Sequence, residues 1–360
     1  MINLGSLFGQ ASPPLVGLDI STSGVRLVEL AEVGKNQLRL ERYASEPLPR
    51  GAVVDGNIEN IEQVADAVRR VWKKSGTKAK VAALGMPPAS VITKKIILPA
   101  GLNEDQLEVQ VESEASQYIP FALDEVCLDF DVIGQAPNSP DDIEVMLAAS
   151  RKEKVEDRVA VAESAGMSAT IMDIESYAAR AALDRVLVQT AGTAMPDGQI
   201  IALIQIGAAA THISVMLDGE TVYEREQPFG GNQLTSDIVR AYGMSFEEAD
   251  NKKKSGDLPE GYRDELLLPF LETAAVEVTR AIQFFYTSTP YTRVDQLFLA
   301  GGCALMPGLL DIVASRTKIS TAVVSPFKGM SLGPAVREQQ LRTEAPAYLV
   351  ACGLALRRFG

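Results

Sequence analysis

The stretch GLDISTSGVRLVEL, Gly17 to Leu30, sets an apolar run ending in Asp19 against a hydroxyl-rich turn and then a second strand-like run. Short apolar runs bounded by Ser, Thr and Gly read as strands joined by a tight turn. The flanking residues extend the pattern through LVGLDI (15–20), VRLVELA (25–31), a turn around Gly34, and LRLERYA (38–44). From residue 200 the same order returns: IIALIQI (200–206), the turn GAAA, THISVML (211–217), Asp218-Gly219 and ETVYERE (220–226). Asp-Gly tolerates positive φ at both positions and signals a hairpin. Each passage then runs into a helix. In the first half Ile61, Val64, Ala65, Val68, Val71 and Trp72 share one face of residues 61–74, and in the second the helix follows Gly230-Gly231. VAALGMPP (81–88) and LFLAGGCALMPGL (297–309) complete the parallel. Agreement over three successive turns points to one α/β architecture used twice.

Composition narrows the class. At 360 residues the chain has room for two domains, with 46% hydrophobic and 22% charged residues. Mean hydropathy is +0.06, and no apolar run approaches the roughly 18–20 residues that span a bilayer. The start, MINLGSLFGQASPP, lacks the basic and apolar regions of a signal peptide. The formal net charge of −13 opposes a nucleic-acid partner. Three scattered cysteines and one histidine, His212, give neither a disulfide framework nor a zinc site.

Two insertions interrupt the halves. Residues 91–165 read as a strand, an acidic helix from near Asn103, two strands and a helix from about Lys152, enough to bury a small core of their own. Residues 236–289 read as mostly helical, with a solvated lysine run NKKKSGD (251–257) and a long helix over 269–289. The division expected is a tail (1–14), a first domain (15–90, 166–195 and 335–360), its insertion (91–165), a second domain (196–235 and 290–334) and a helical subdomain (236–289). The final PAYLVACGLALRRFG, with Pro346 in a helical first turn, reads as a core helix of the first domain. INLGSLFG reads as a tail or a strand-addition segment.

If the halves face each other, both first hairpin turns point into the cleft between them. Successive amides in a Ser/Gly/Ala turn form a nest suited to phosphate. Ser21, Thr22 and Ser23 add hydroxyl donors, while Gly207, Ala208, Ala209 and Ala210 let backbone approach a ligand. Asp19 beside phosphates requires a cation, and Mg²⁺ suits a carboxylate shared with phosphate oxygens and water.

These motifs resemble those of the actin/Hsp70/sugar-kinase superfamily: GLDISTSGVRLVEL its first phosphate motif, IQIGAAATHISV (204–215) its second, LFLAGGCALMPGL its adenosine motif. The ordered set, with MINLGSLFG, PFGGNQLTSDI and EVTRAIQFF, is similar to FtsA-like proteins and most of all to the PilM family of type IV pilus assembly. The resemblance implies a duplicated actin-like fold, two domains around a nucleotide cleft with an FtsA-like inserted subdomain. It implies ATP or ADP with Mg²⁺ as ligands. Gly301 and Gly302 then lie against adenine and ribose, Gly230 and Gly231 near sugar and phosphates, and Thr211 just after the second phosphate turn. Glu277 and Arg280 match an E-x-x-[K/R] pair for ribose and base; a surface ion pair accounts for their spacing equally well.

One departure matters. The second phosphate motif usually begins with Asp, and here Gln205 stands there. Glutamine is neutral and cannot serve as general base or anionic magnesium ligand, so hydrolysis should be slow or absent. The resemblance then implies an adaptor in which nucleotide locks the two domains together. Its partner would be the short cytoplasmic N-terminal tail of a PilN-like inner-membrane protein, held between the first domain and residues 91–165. Such a protein is cytoplasmic and reaches the inner membrane's inner face through that partner; assembly motors and self-association stay open. A polymer-forming FtsA-like cytoskeletal protein and a small-molecule kinase are the alternatives.

Overall fold

The computed structural model describes residues 13–34, 37–137, 139–191 and 198–359; INLGSLFG lies outside them. In the first half β1 (Leu15–Ser21), β2 (Gly24–Gly34) and β3 (Gln37–Pro47) form an antiparallel meander. A small hairpin, β4 (Val53–Val54) and β5 (Asn57–Ile58), precedes α1 (Ile61–Ser75), and β6 (Val81–Met86) then pairs parallel with β1.

β7 (Val91–Pro99), α2 (Glu104–Tyr118), β8 (Val126–Gln135) and β9 (Asp142–Arg151) interrupt the half as a separate sheet, ordered β7-β9-β8. Leu107, Val111 and Ala115 of α2 pack on Ile96, Leu98, Val145 and Leu147 in a core of its own. An Asn103–Gln106 capping box starts α2.

α3 (Lys152–Ser164) and β10 (Ser168–Ile174), parallel to β6, complete the first sheet as β10-β6-β1-β2-β3. After α4 (Glu175–Ala191) the plan repeats. The meander β11 (Ile200–Ile206), β12 (Thr211–Leu217), β13 (Glu220–Gln227) leads to α5 (Gly231–Tyr242), α6 (Phe246–Ser255) and α7 (Leu268–Ser288). β14 (Gln296–Ala300), α8 (Leu309–Thr317) and β15 (Ser320–Val323) give the order β13-β12-β11-β14-β15, the same as in the first half. Asp218 and Gly219 take φ of 52° and 81°, the positive pair that a tight hairpin uses.

The repeated order locates α3. It is the crossover from β6 to β10, as α8 is from β14 to β15, and Val161 and Ala162 join Val64, Val68 and Val71 of α1 over β1 and β2. The sequence reading assigned α3 to the inserted core; its apolar face meets the first sheet instead. Ile61, counted on α1's inner face, is exposed in the first turn. Ser331–Leu332 (β16), placed with the second half, pairs with Arg39 and Leu40 at the edge of β3.

After α9 (Glu338–Glu344), α10 (Leu349–Leu356) returns to cover the first sheet with α4. Contact there is close: a Cβ on Gly353 would sit 1.8 Å from the Ala178 carbonyl oxygen, and one on Gly17 would sit 2.1 Å from that of Ala351. Leu183, Tyr348 and Ala351 continue into a shared core with Ile201, Leu203, Met216 and Phe298 of the second half. The two sheets therefore face one another across α4 and α10. No helix among the described residues is long and apolar enough to cross a membrane.

Candidate functional site

The shared core is apolar at its inner end and polar where the two hairpin turns emerge. In the first turn the Ser21 hydroxyl donates to the Gly24 carbonyl at 2.9 Å and accepts from Arg26 at 3.0 Å. In the second, the Gly207 amide closes on the Ala210 carbonyl at 2.9 Å. Among the described residues the amides of Thr22, Ser23, Ala208, Ala209 and Ala210 find no acceptor, and neither do the Thr22 and Ser23 hydroxyls. Two opposed turns thus offer a set of uncommitted donors, the arrangement that a nest for an anion requires.

Carboxylates stand close behind them. Asp19 is buried, with Oδ2 3.3 Å from Arg26. Burial pushes its carboxyl above the usual range, against the opposing pull of Arg26, Arg158 and His212. Glu175 begins α4 at the end of β10. Burial, reinforced by the charges of Asp19 and Glu226 and opposed by Arg158, pushes its carboxyl up to about 8. Its side chain fills the space beside Gly85, where a Cβ would come within 2.7 Å of Glu175 Cγ. Arg158 is 1% exposed, and its guanidinium donates to the carbonyls of Gly85 and Gly56 at 2.8 Å each. It thereby ties α3, the end of β6 and the β4–β5 hairpin beneath the two acids.

On the opposing sheet strand alternation decides what faces the cleft. Ile204, Ile206, Ile213 and Val215 point into the second half's own core, while Ile201, Leu203 and Met216 point toward the first half. Gln205 and His212, register partners, share that inward face, and His212 Nδ1 lies 3.4 Å from Glu226 of β13. Thr211 falls on the other side: it is buried, and its hydroxyl donates to the Phe229 carbonyl at 2.7 Å. It braces the approach to Gly230 and offers the cleft no donor.

Three glycine-containing turns pack together beside the second nest. A Cβ on Gly230 would lie 2.5 Å from the Ala208 carbonyl oxygen, and one on Gly301, whose φ is 87°, 2.5 Å from that of Ile206. A Cβ on Gly231 would meet Cys303 Sγ at 2.8 Å, whereas around Gly302 there is open space. Of the two pairs, only Gly302 leaves backbone open to a ligand; the others let turn approach turn. Lys253 enters this cluster: its ammonium donates to Thr235 Oγ1 at 2.6 Å and to the Gly231 carbonyl at 3.3 Å, and pairs with Asp250 at 2.8 Å. The run read as a solvated loop is helix α6, and Lys253 is its inward residue, with a side chain 12% exposed. Glu277 and Arg280 pair with each other at 2.7 Å on α7, with Arg280 exposed; their described polar contacts reach none of the turns. The acid–x–x–base spacing that does reach the turns is Asp250–Lys253.

The profile of the type IV pilus assembly protein PilM matches residues 17–359. The chain belongs to that family. FtsA of Bacillus subtilis (strain 168) is 24% identical over 382 residues, covering 94% of this chain and 83% of that protein. Among solved structures, a PilM–PilN type IV pilus biogenesis complex superposes with a TM-score of 0.78 at 24% identity, covering 96% of this chain and 98% of that one. The ethanolamine utilization protein EutJ from Carboxydothermus hydrogenoformans gives 0.55 at 18% identity, covering 97% and 90%. The fold is the actin-like one that the duplicated sheets describe.

Sequence reasoning missed Glu175, Arg158 and Lys253. Glu175 had a usable signal, an acid where a strand passes into the small-residue helix ESYAARAAL. Arg158 and Lys253 had none stronger than their helical setting, because one basic residue among several says nothing of which faces inward.

Proposed function

We propose that the chain is a nucleotide-dependent adaptor of type IV pilus assembly, binding ATP or ADP with Mg²⁺ in the cleft between its halves. The observation that carries this is the pair of opposed turns with uncommitted amides, set directly above buried Asp19. Thr22, Ser23, Ala208 and Ala209 would receive phosphates, while Gly302 and Lys253 lie on the side for ribose and base. Asp19 would hold Mg²⁺, directly or through water, because its Oδ1 has no described partner and a buried carboxylate beside phosphates needs a cation between them. Mg²⁺ would neutralise charge shared between that carboxylate and the phosphates. Gln205 offers no anion for this work, which favours retention over turnover.

Bound across both halves, nucleotide fixes their relative geometry by RT ln(1 + [L]/Kd), about 4 kcal/mol at a thousandfold excess over Kd. The partner we propose is the short N-terminal tail of a PilN-like inner-membrane protein, and a solved relative is a PilM–PilN complex. The groove between the first sheet and the β7–β9–β8 insertion would receive it as an extended peptide. That would place the chain at the inner face of the membrane through its partner. The domains we propose are those of the sequence reading, with α3 and Ser331–Leu332 transferred to the first.

Thermal unfolding with and without Mg-ATP, then with a peptide copying the partner's tail, tests the proposal. Unfolding should shift upward with ATP and further with peptide. No shift at millimolar Mg-ATP would remove the nucleotide from the function, and a shift with ATP but none with peptide would remove the partner.

A further inference from the structure

We propose that His212 is the phosphate-contacting side chain of the second half, freed for that role by the glutamine at position 205. The proposal rests on the reading of the cleft as a polyphosphate site and concerns which group of this chain meets the ligand's charge.

The cations around the cleft are already committed. Arg26 is held by Asp19 and the Ser21 hydroxyl. Arg158 is spent on the carbonyls of Gly85, Gly56 and, at 3.4 Å, Lys154. Lys253 is spent on Asp250, Thr235 and the Gly231 carbonyl. With each of these donors engaged and Asp19 and Glu226 as anions nearby, the protein part of the cleft has little uncommitted positive charge for a polyphosphate. His212 is the exception. It lies on the inward face of β12 beside the second turn, within electrostatic reach of Asp19 across the cleft. Its ring is 32% exposed, Nδ1 faces Glu226, and Nε2 has no partner among the described residues.

Position 205 decides what that nitrogen can do. Gln205 and His212 are direct register partners on β11 and β12, which sets their Cβ atoms about 4.5–5.5 Å apart. An aspartate at 205 would pair with the imidazole across the strands. The neutral amide of Gln205 leaves the ring to Glu226 on one side and to the cleft on the other. With Nδ1–H directed to Glu226 and Nε2–H to a phosphate oxygen, the ring is an imidazolium between two anions. The chain's one histidine thus grips phosphate where an acid at position 205 would hold the ring back across the strands.

That one histidine makes the test direct, because every imidazole signal in a ¹H–¹⁵N spectrum of ¹⁵N-labelled full-length protein belongs to residue 212. Saturating Mg-ATP should move both ring nitrogens to imidazolium positions, while adenosine, which lacks phosphate, should leave them in place. His212→Asn should weaken Mg-ATP about ten- to a hundredfold, the range of one charge-assisted hydrogen bond, with adenosine affinity unchanged. In Gln205→Asp the carboxylate should capture the ring, so that ATP no longer moves its signals. Ring signals unmoved by ATP in a protein whose unfolding ATP does shift would overturn the role of His212 and leave the cleft reading intact. An equal loss of ATP and adenosine affinity in His212→Asn would make the residue structural and overturn it too. No unfolding shift with ATP would bring down the cleft reading, and the inference with it.

Discussion

Arg158→Met probes whether the buried guanidinium holds the floor of the cleft together. Methionine keeps much of the side-chain length and packing but removes the charge and all three donations. The carbonyls of Gly85 and Gly56 each lose a 2.8 Å charge-assisted bond at a site 1% exposed. At about 1.5–3 kcal/mol each, and with no water at hand to replace the donor, the loss should be about 3–5 kcal/mol of unfolding free energy in urea. The pH dependence separates this from simple mispacking. Glu175 sits at about 8 in the folded protein against an ordinary value of 4.5, so the native state holds a proton that the unfolded chain has released between those values. Stability therefore falls as pH rises through that window and levels above about 8. Arg158 opposes the shift. Without it Glu175 should hold its proton to higher pH still, and the variant should go on losing stability where the parent has levelled off. The penalty should thus be larger near pH 9 than near pH 7, and the excess should vanish in a Glu175→Gln background. A loss under about 1 kcal/mol, or one equal at both pH values, would refute the reasoning.

Other expectations follow the same geometry. Asp19→Ala should weaken Mg-nucleotide binding tenfold or more by equilibrium titration, and unchanged affinity would take Asp19 out of the site. Glu175→Gln alone should flatten the fall of stability between about pH 4.5 and about 8, read from urea midpoints across that range. Gly353→Ala, whose new Cβ would fall 1.8 Å from a backbone oxygen of α4, should cost about 3 kcal/mol or prevent folding, as seen in the urea midpoint or in soluble yield. Lys253→Met should leave Asp250 and Thr235 without their shared donor and weaken adenosine as well as ATP, because the lysine lies beside Gly231 and not beside the phosphate turns.

The duplicated sheets were legible because strand alternation and turn chemistry are local properties. Leu15–Ser21 and Ile200–Ile206 end in turns of small residues, and Asp218-Gly219 can do little else than turn. What local pattern omits is the identity of the partner. An apolar stripe on Lys152–Ser164 says that the helix is buried on one side, and only the crossover from β6 to β10 says against which sheet. The trio Lys252, Lys253 and Lys254 looks uniformly solvated, yet helical geometry aims the middle one at Gly231. Thr211 shows the converse: counting back from buried Ile213 along the strand already places its hydroxyl away from the cleft, where it meets the Phe229 carbonyl. Glu277 and Arg280 satisfied a spacing that another pair, Asp250 and Lys253, realises at the turns.

The closeness of Gly17 to α10 also fixes an order of events during synthesis. One face of the strand that opens the first half is finished by Ala351, Leu354 and Ala355, which are made after the whole of the second half. At about 5–20 residues per second the ribosome takes tens of seconds between the two. Through that interval the first sheet can gather α1 and α3 on one side and α4 on the other, but the seat of α10 lies open and apolar. The second half's outer core owes nothing to α10, since Leu234, Leu271, Val278 and Leu309, which close it, all follow β11 within the same continuous segment, whereas its inner face at Ile201, Leu203 and Met216 waits for Tyr348 and Ala351 as the first sheet does. The last helix to be made thus finishes the facing sides of both halves at once.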